Sequence, residues 1–175
     1  MSKMLTTQLT GVFNRLDQQA LDIQMAAQSL IQAIGGEGHV YIKGYGDLKC
    51  FEPYILSSFE KLHSSLSLET CTSFDDLDST DRVLLFGPDY QTEMQTDLEA
   101  LLADDRDVVV ITNKPKSESL PDHLLHFIDL STPRPIVYTE DYDKVVQPHL
   151  IALNYIYYEI YTQMVEMMRD LDLNA

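Results

Sequence analysis

Two runs limit what this chain can become: Val83-Leu84-Leu85-Phe86 and Val108-Val109-Val110-Ile111 are apolar at every position. A strand with one wet face alternates apolar and polar residues, whereas a strand covered on both faces does not. Both runs therefore read as interior strands of a sheet with helices above and below, and the second, the more strongly apolar, belongs at its centre. Helical stripes lie between the strands. Residues 91–103 put Met94, Leu98, Leu101 and Leu102 on one face, the spacing of an amphipathic helix. Strands alternating with helices imply a mostly parallel α/β sheet.

The remaining strands are predicted at residues 39–43, 67–71 and 127–130, with one more short extended piece at 136–138. A helix is expected over 48–62, where Pro53 falls in the first turns and is tolerated. A short helix is expected near 118–125, and a loop or single turn over Phe74-Asp75-Asp76-Leu77-Asp78. Near the start, Leu5, Leu9, Val12, Leu16, Ala20, Ile23, Ala27, Leu30 and Ile34 recur at steps of four and three, predicting one long helix ended by Gly35-Gly36. Val146, Leu150, Leu153, Tyr157, Ile160, Met164, Met168 and Leu171 predict a second long helix, to which Ile151, Tyr155, Tyr158 and Val165 add apolar surface on other sides. The whole reads as a single domain over 1–175. It is a three-layer αβα sandwich around a five-stranded parallel sheet of order 2-1-3-4-5, with long N- and C-terminal helices. Their apolar surface exceeds what one small sheet covers, which suggests a homodimer or higher homo-oligomer packed across a two-fold interface. Folding back onto their own sheet is the alternative.

Charge narrows the partners. Twenty-eight acids against 12 bases give a formal charge of −16, which repels nucleic acid and anionic membrane surfaces unless the bases cluster, and along the sequence they do not. Cys50 and Cys71 lack metal-ligand spacing and read as free thiols of a reducing cytoplasm, buried as small hydrophobes. The start of the chain has no long apolar leader and no segment approaches the ~20 apolar residues of a membrane span, so a cytoplasmic protein is expected.

Two strands run out into a glycine turn that ends in a carboxylate: Val40-Tyr41-Ile42-Lys43 into Gly44-Tyr45-Gly46-Asp47, and Arg82 to Phe86 into Gly87-Pro88-Asp89. In the order 2-1-3-4-5 the ends of strands one and three lie side by side at the switch point, where open α/β sheets bind ligands. Asp47 and Asp89 then face one crevice, lined also by Tyr45, Gly46, Gly87, Tyr90 and Thr92, with Gly44 and Thr112 at the adjoining strand ends. Each residue has a plainer alternative. The glycines of the first turn can serve a sharp bend alone, and Asp47, Asp89 and Thr92 can cap helices. A base for proton abstraction would come, by residue type, from Glu60, His63 or His149. Walker loop, Ser-His-Asp arrangement and zinc-protease helix are all missing, and the first turn lacks the third glycine of a dinucleotide fingerprint. No cofactor and no metal are implied.

A long N-terminal helix, a Gly-x-Gly turn after the first strand and a sheet closed by a long C-terminal helix resemble the sugar isomerase (SIS) domain, the fold of the phosphoheptose isomerases. In size and layout the chain is also similar to an uncharacterised family of small Gram-positive bacterial proteins with that layout. The resemblance implies a carbohydrate-derivative site at the strand ends and assembly through helices. Gly44, Tyr45 and Gly46 match the family's first turn before Asp47-Leu48-Lys49 departs. The family's second motif, Ser-x-Ser-Gly-x-Thr, holds phosphate with hydroxyls and backbone N–H groups at a helix N-terminus. Aligned on Thr92, its serines become Gly87 and Asp89 and its glycine Tyr90. A carboxylate beside a phosphate dianion costs several kcal/mol in a poorly solvated cleft unless a cation intervenes, and Lys43, Lys49 and Lys114 are the cations within reach in sequence. The zinc-binding spacing of some phosphoheptose isomerases is not reproduced by Glu60, His63, Gln147 and His149.

The resemblance therefore implies a protein that binds a carbohydrate derivative, sugar phosphates included, through a degenerate phosphate loop and with weak or absent isomerase activity. Two other classes compete: a non-catalytic regulatory or interaction module, and a receiver-like domain with Asp89 as phosphoacceptor, Asp47 as its acid and Thr112 as its hydroxyl. The receiver lacks its lysine, because strand five exits into Leu130-Ser131-Thr132-Pro133-Arg134.

Overall fold

A computed structural model describes residues 2–117 and 119–172. Its main sheet has five parallel strands, β1 Val40–Gly44, β2 Ser65–Ser67, β3 Arg82–Phe86, β4 Val108–Thr112 and β5 His126–Asp129, in the order β2-β1-β3-β4-β5. The expected order is therefore the observed one. Register follows Ile42↔Leu84 and Gly44↔Phe86 between β1 and β3, and Phe86↔Ile111 between β3 and β4.

Successive residues of a strand point to opposite faces, and the two apolar runs divide accordingly. Leu84, Phe86, Val109 and Ile111 face one core with α2 (Ala20–Gly35) and α5 (His149–Asp170), while Val83, Leu85, Val108 and Val110 face a second core with α4 (Thr92–Ala103). β3 and β4 are buried at all five positions each. Ile23, Ala27 and Leu30 of α2 meet Leu153, Ile156, Ile160 and Met164 of α5 in the first core. Each large aliphatic side chain so buried contributes about 1.5–3 kcal/mol relative to exposure, which is why the sheet holds despite an excess of negative charge.

Several boundaries differ from the pattern-based expectation. The N-terminal stripe is two helices, α1 Ser2–Asp17 and α2, broken at Gln18-Gln19. Gln19 leaves helical geometry (φ −101, ψ 18), and its side-chain amide donates to Asp129 O at 2.8 Å while accepting from Asp129 N at 2.9 Å. The side chain thus pairs with the outer edge of β5, groups that would otherwise stay unsatisfied. The helix expected over 48–62 is a 3-10 turn, Gly46–Phe51, followed by a short α3, Glu52–Ser57. β2 is shifted to Ser65–Ser67, and 68–70 form a 3-10 turn instead of strand. No helix forms over 119–125, where Leu124 N makes a single turn back to Pro121 O; Pro121 has no N–H to extend it, and Glu118 lies outside the described residues. Ile136-Val137-Tyr138 holds a strand, β6 Val137–Tyr138, antiparallel to β7 Lys144–Val145, so α5 begins at His149 and not at Val146. Cys50 is exposed and Cys71 half-buried, which corrects the expectation of two buried thiols. No helix among the described residues is long and apolar enough to cross a membrane.

Candidate functional site

The end of β1 is built around Gly44. A methyl group at Gly44 would sit 2.7 Å from the Phe86 ring and 2.9 Å from the Lys49 backbone, so the chain can pass β3 only without a side chain there. Gly44 N donates to Glu52 Oε2 at 2.9 Å, and Ser67 Oγ donates to Glu52 Oε1 at 2.7 Å. The buried Glu52 carboxylate thereby ties β1, β2 and α3 together, and only the tertiary structure identifies it, since its signal in sequence is an ordinary first-turn acid.

Tyr45 turns the other way. Its ring is buried in the α4-side core, it stacks under Lys43 Nζ at 5.0 Å, and its hydroxyl donates to Asp97 Oδ2 at 2.7 Å. Lys43 Nζ meets the same carboxylate at 2.6 Å and Glu93 Oε1 at 3.2 Å. Burial and the Asp97 contact push the Tyr45 hydroxyl far above the usual phenol range, and the hydrogen bonds to Asp97 and Glu93 outweigh the effect of burial to keep the Lys43 ammonium charged. Tyr45 and Lys43 anchor the turn to α4, and Lys43 is not free to neutralise an anion in the crevice.

Gly46 then bends back at φ +54, where a methyl group would meet Gln91 Nε2 at 2.9 Å and Pro88 Cγ at 3.2 Å. The first turn thus lies directly against the second. Asp47 and Asp89 follow, both exposed. Neither caps a helix. The residue before the Gly46–Phe51 turn is Tyr45, the residue before α4 is Gln91, and neither provides a side-chain cap. Among the described residues, no donor hydrogen-bonds to either carboxylate, and α4 starts at Thr92 without a side-chain cap. Gly87 is buried and its N–H donates to Ile111 O at 3.1 Å; Tyr90 is half-buried against the α4-side core.

A polar relay closes the site from the far side. Buried Asn113, the first residue past β4, donates through Nδ2 to Pro88 O at 2.7 Å, and its Oδ1 accepts from Thr132 N at 2.7 Å. Thr132 Oγ1 lies 2.7 Å from His149 Nδ1 at the start of α5. Burial pushes the His149 imidazole below the ordinary histidine range, partly offset by the charges of Asp89 and then Asp47. The two turns thus lie against each other, and the charges of Asp89 and Asp47 both act on His149, three residues drawn from separate segments.

The structure does not gather the other candidates. The Glu60 carboxylate accepts from Tyr54 Oη at 3.0 Å, the Tyr157 hydroxyl donates to Glu60 O, and His63 is exposed. Among the described residues, no hydrogen bond or ion pair joins either to His149, and no three His, Cys, Asp or Glu side chains are gathered for a metal ion. Thr112 is fully buried in β4, its hydroxyl without a partner among the described residues. Asn113 and Thr132 were not among the expected site residues; a polar residue directly after an apolar strand was the available signal for Asn113, and nothing in the sequence marks Thr132.

The bases, scattered along the sequence, do come together in part. Arg15, Lys116, Arg134 and Lys144 line one cavity beyond β5, which corrects the expectation that no cluster forms.

Comparison with known proteins places this geometry. The model of a family described as a domain of unknown function, DUF2529, matches residues 1–168. An uncharacterized protein, YwjG, from Bacillus subtilis (strain 168) is 25% identical over 173 residues, 97% of this chain and 99% of that protein. Among solved structures, a candidate phosphosugar isomerase involved in capsule formation from Bacteroides fragilis NCTC 9343 superimposes with a TM-score of 0.66 at 15% identity, covering 94% of this chain and 92% of that one. The sugar isomerase domain of an RpiR transcription factor from Sphaerobacter thermophilus gives 0.61 at 16% identity, over 98% and 97%. Phosphoheptose isomerase GmhA from Neisseria gonorrhoeae gives 0.64 at 10% identity, over 93% and 96%. The fold is that of the sugar isomerase domain.

Proposed function

Because the chain belongs to the DUF2529 family and carries the sugar isomerase fold, we propose that it binds a carbohydrate derivative in the crevice between the β1 and β3 turns, without isomerising it. What supports this reading is that the β1 and β3 turns lie against each other with two exposed acids whose charges both act on His149, where the fold's isomerases are expected to present a hydroxyl-rich phosphate loop. Two exposed carboxylates with free lone pairs accept from sugar hydroxyls or an amino group, and the neutral imidazole adds one more polar contact. A phosphate dianion at the same place pays repulsion of several kcal/mol, with Lys43 already committed to Asp97 and Glu93. The ligand's part in this crevice is therefore neutral or amino-substituted. Proton abstraction needs a base and a partner acid in reach of the same carbon. Of Glu60, His63 and His149, only His149 stands at the crevice, with its Nδ1 held by Thr132.

Calorimetry with neutral sugars, amino sugars and sugar phosphates tests the reading. An amino or neutral sugar is expected to bind, at least tenfold more weakly to D47A/D89A. Proton NMR in deuterated water should show no exchange at the sugar carbon next to the carbonyl. Sugar-phosphate binding untouched by D47A/D89A, or steady exchange at that carbon, would overturn it.

A regulatory role has one observation in its favour. The same fold occurs as a domain of a transcription factor, so ligand binding here would serve sensing rather than turnover. Assembly is proposed as a homodimer through the terminal helices. Leu150, Ile151 and Tyr158 of α5 and Met4, Leu5, Leu21 and Met25 of α1 and α2 remain exposed after the core is filled, and large exposed apolar surfaces mark interfaces. The protein is proposed to act in the cytoplasm.

A further inference from the structure

We infer that the cavity beyond the edge strand β5 is an anion site, built to take the di- or triphosphate group of a small phosphorylated molecule. It adjoins the site at Asp47 and Asp89 through Thr132, which lines the cavity and bonds to His149, but the argument for it does not depend on what binds there.

A third of the chain's 12 bases line this one cavity, and they arrive from four segments: Arg15 from α1, Lys116 from the β4–β5 connection, Arg134 from the loop after β5 and Lys144 from β7. In a protein of charge −16 such a gathering needs a reason, because spreading cations among the acids would be electrostatically cheaper. None of the four makes an ion pair among the described residues. Elsewhere Lys43, Lys49 and Arg82 are paired to acids, and the other bases are scattered singly over the surface.

Local contacts hold two of the cations in place without neutralising them. Arg15 Nη2 donates to Ser131 O at 2.9 Å, leaving its other N–H groups for a ligand. Lys144 Nζ lies over the Tyr138 ring at 4.9 Å, a contact that orients an ammonium while keeping its charge. The cavity's one acid, Asp129, is already occupied by its own backbone surroundings. Its Oδ1 accepts from Lys114 N at 3.1 Å and Ser131 N at 3.0 Å. Glu140, Asp141 and Asp143 at the tip of the β6–β7 hairpin are exposed and do not line the cavity.

Four cations against one acid leave a local surplus of three positive charges, which matches a di- or triphosphate better than a single phosphate. The cavity volume, about 650 Å³, is in the range of small-molecule sites, and arginine offers forked donors suited to phosphate oxygens. An extended polyanion such as nucleic acid is excluded by the field of the remaining surface, whereas a compact anion can enter a cleft that focuses the opposite sign. The ligand class is thus a small phosphate ester or anhydride, with Tyr138 and Pro133 offering an apolar wall to its organic part.

The test uses inorganic pyrophosphate as probe, titrated into the full chain at low and high salt, with binding followed by calorimetry and by 1H–15N chemical shifts. Binding is expected at least fivefold tighter than for inorganic phosphate and weakened at least tenfold by 300 mM salt, as for any contact between charges open to solvent. The shifts should concentrate on Arg15, Lys116, Arg134, Ile136 and Tyr138. K116E/R134E should lose at least tenfold in affinity, while K61E/R169E, the same charge change at exposed sites off the cavity, should stay within about twofold. The wild-type shift map holds the inference to account even if the double variant folds poorly. Failure to bind pyrophosphate, equal loss in both double variants, or shifts centred on Thr92 at the start of α4 would each overturn it. None of these outcomes depends on the sugar titrations with D47A/D89A, so the two proposals fail separately.

Discussion

Gly44 and Gly46 stand two residues apart in one turn, yet the structure requires glycine at them for different reasons, and substitution can separate the two. At Gly46 the reason is backbone conformation: φ is +54, a left-handed region that costs an L-residue about 1–2 kcal/mol. The nearest groups to an added methyl are the end of the Gln91 side chain at 2.9 Å and the Pro88 ring at 3.2 Å, and the first of these can swing away. Gly46→Ala should therefore cost about 1–2 kcal/mol, and Gly46→Asn less, because asparagine tolerates this region. At Gly44 the reason is space, with the Phe86 ring at 2.7 Å and the Lys49 Cα at 2.9 Å. Neither neighbour is a flexible tip, so Gly44→Ala should cost about 2–3 kcal/mol by overpacking, and Gly44→Asn more. Urea unfolding gives the free energies, and thermal melts should fall by about 2–4 °C per kcal/mol for a chain of this size. The order expected is Asn better than Ala at 46 and Ala better than Asn at 44. The same order at both positions would refute the assignment of conformation to one and crowding to the other. Unchanged stability with lost sugar binding at either would show that glycine is kept there for ligand approach rather than architecture.

Tyr45→Phe removes a hydroxyl that donates to Asp97 Oδ2 at 2.7 Å but leaves that carboxylate on Lys43 at 2.6 Å. The loss should be about 1.5 kcal/mol in urea unfolding, whereas Asp97→Ala, which strips a partner from both Tyr45 and Lys43, should cost at least 1 kcal/mol more. For His149 the sign follows from burial: its folded pKa lies below the unfolded value of about 6.5. The unfolded chain then binds more protons, so this residue's contribution to stability is fully present above pH 6.5 and falls as pH drops through the window down to the folded pKa. NMR titration of the imidazole should show the depression, and D47N/D89N should deepen it, since those two charges oppose it; a rise in that variant would contradict the placement of the acids around His149.

Much of the fold was legible because its signals are local or periodic. Unbroken apolar runs can only be strands covered on both sides, and the steps of four and three along α2 and α5 follow from helix geometry. The order of the strands and the adjacency of the β1 and β3 turns followed from that topology. The misread boundaries share one cause, which is that a distant partner outbids local preference. Gln19 breaks an unbroken apolar stripe because the open edge of β5 needs its amide, and nothing within 20 residues of Gln19 announces that. The helix expected after β1 is cut to six residues because Glu52 is drawn inward to Gly44 and Ser67.

What the sequence by itself determined was therefore the class of fold and the strand order, because periodicity and strand composition encode which face is buried. What only the tertiary structure decided was the chemistry at each end of the sheet. Tyr45 turns into the core and Thr112 is sealed within it, while Asn113, Thr132 and His149 link three loops that are far apart in sequence. The four cations of the outer cavity, Arg15, Lys116, Arg134 and Lys144, stand 101, 18 and 10 residues apart along the chain, and only the packing of α1, the β4–β5 connection and the β6–β7 hairpin brings them to one cavity. Charge acts through space, and chain order carries no record of that distance.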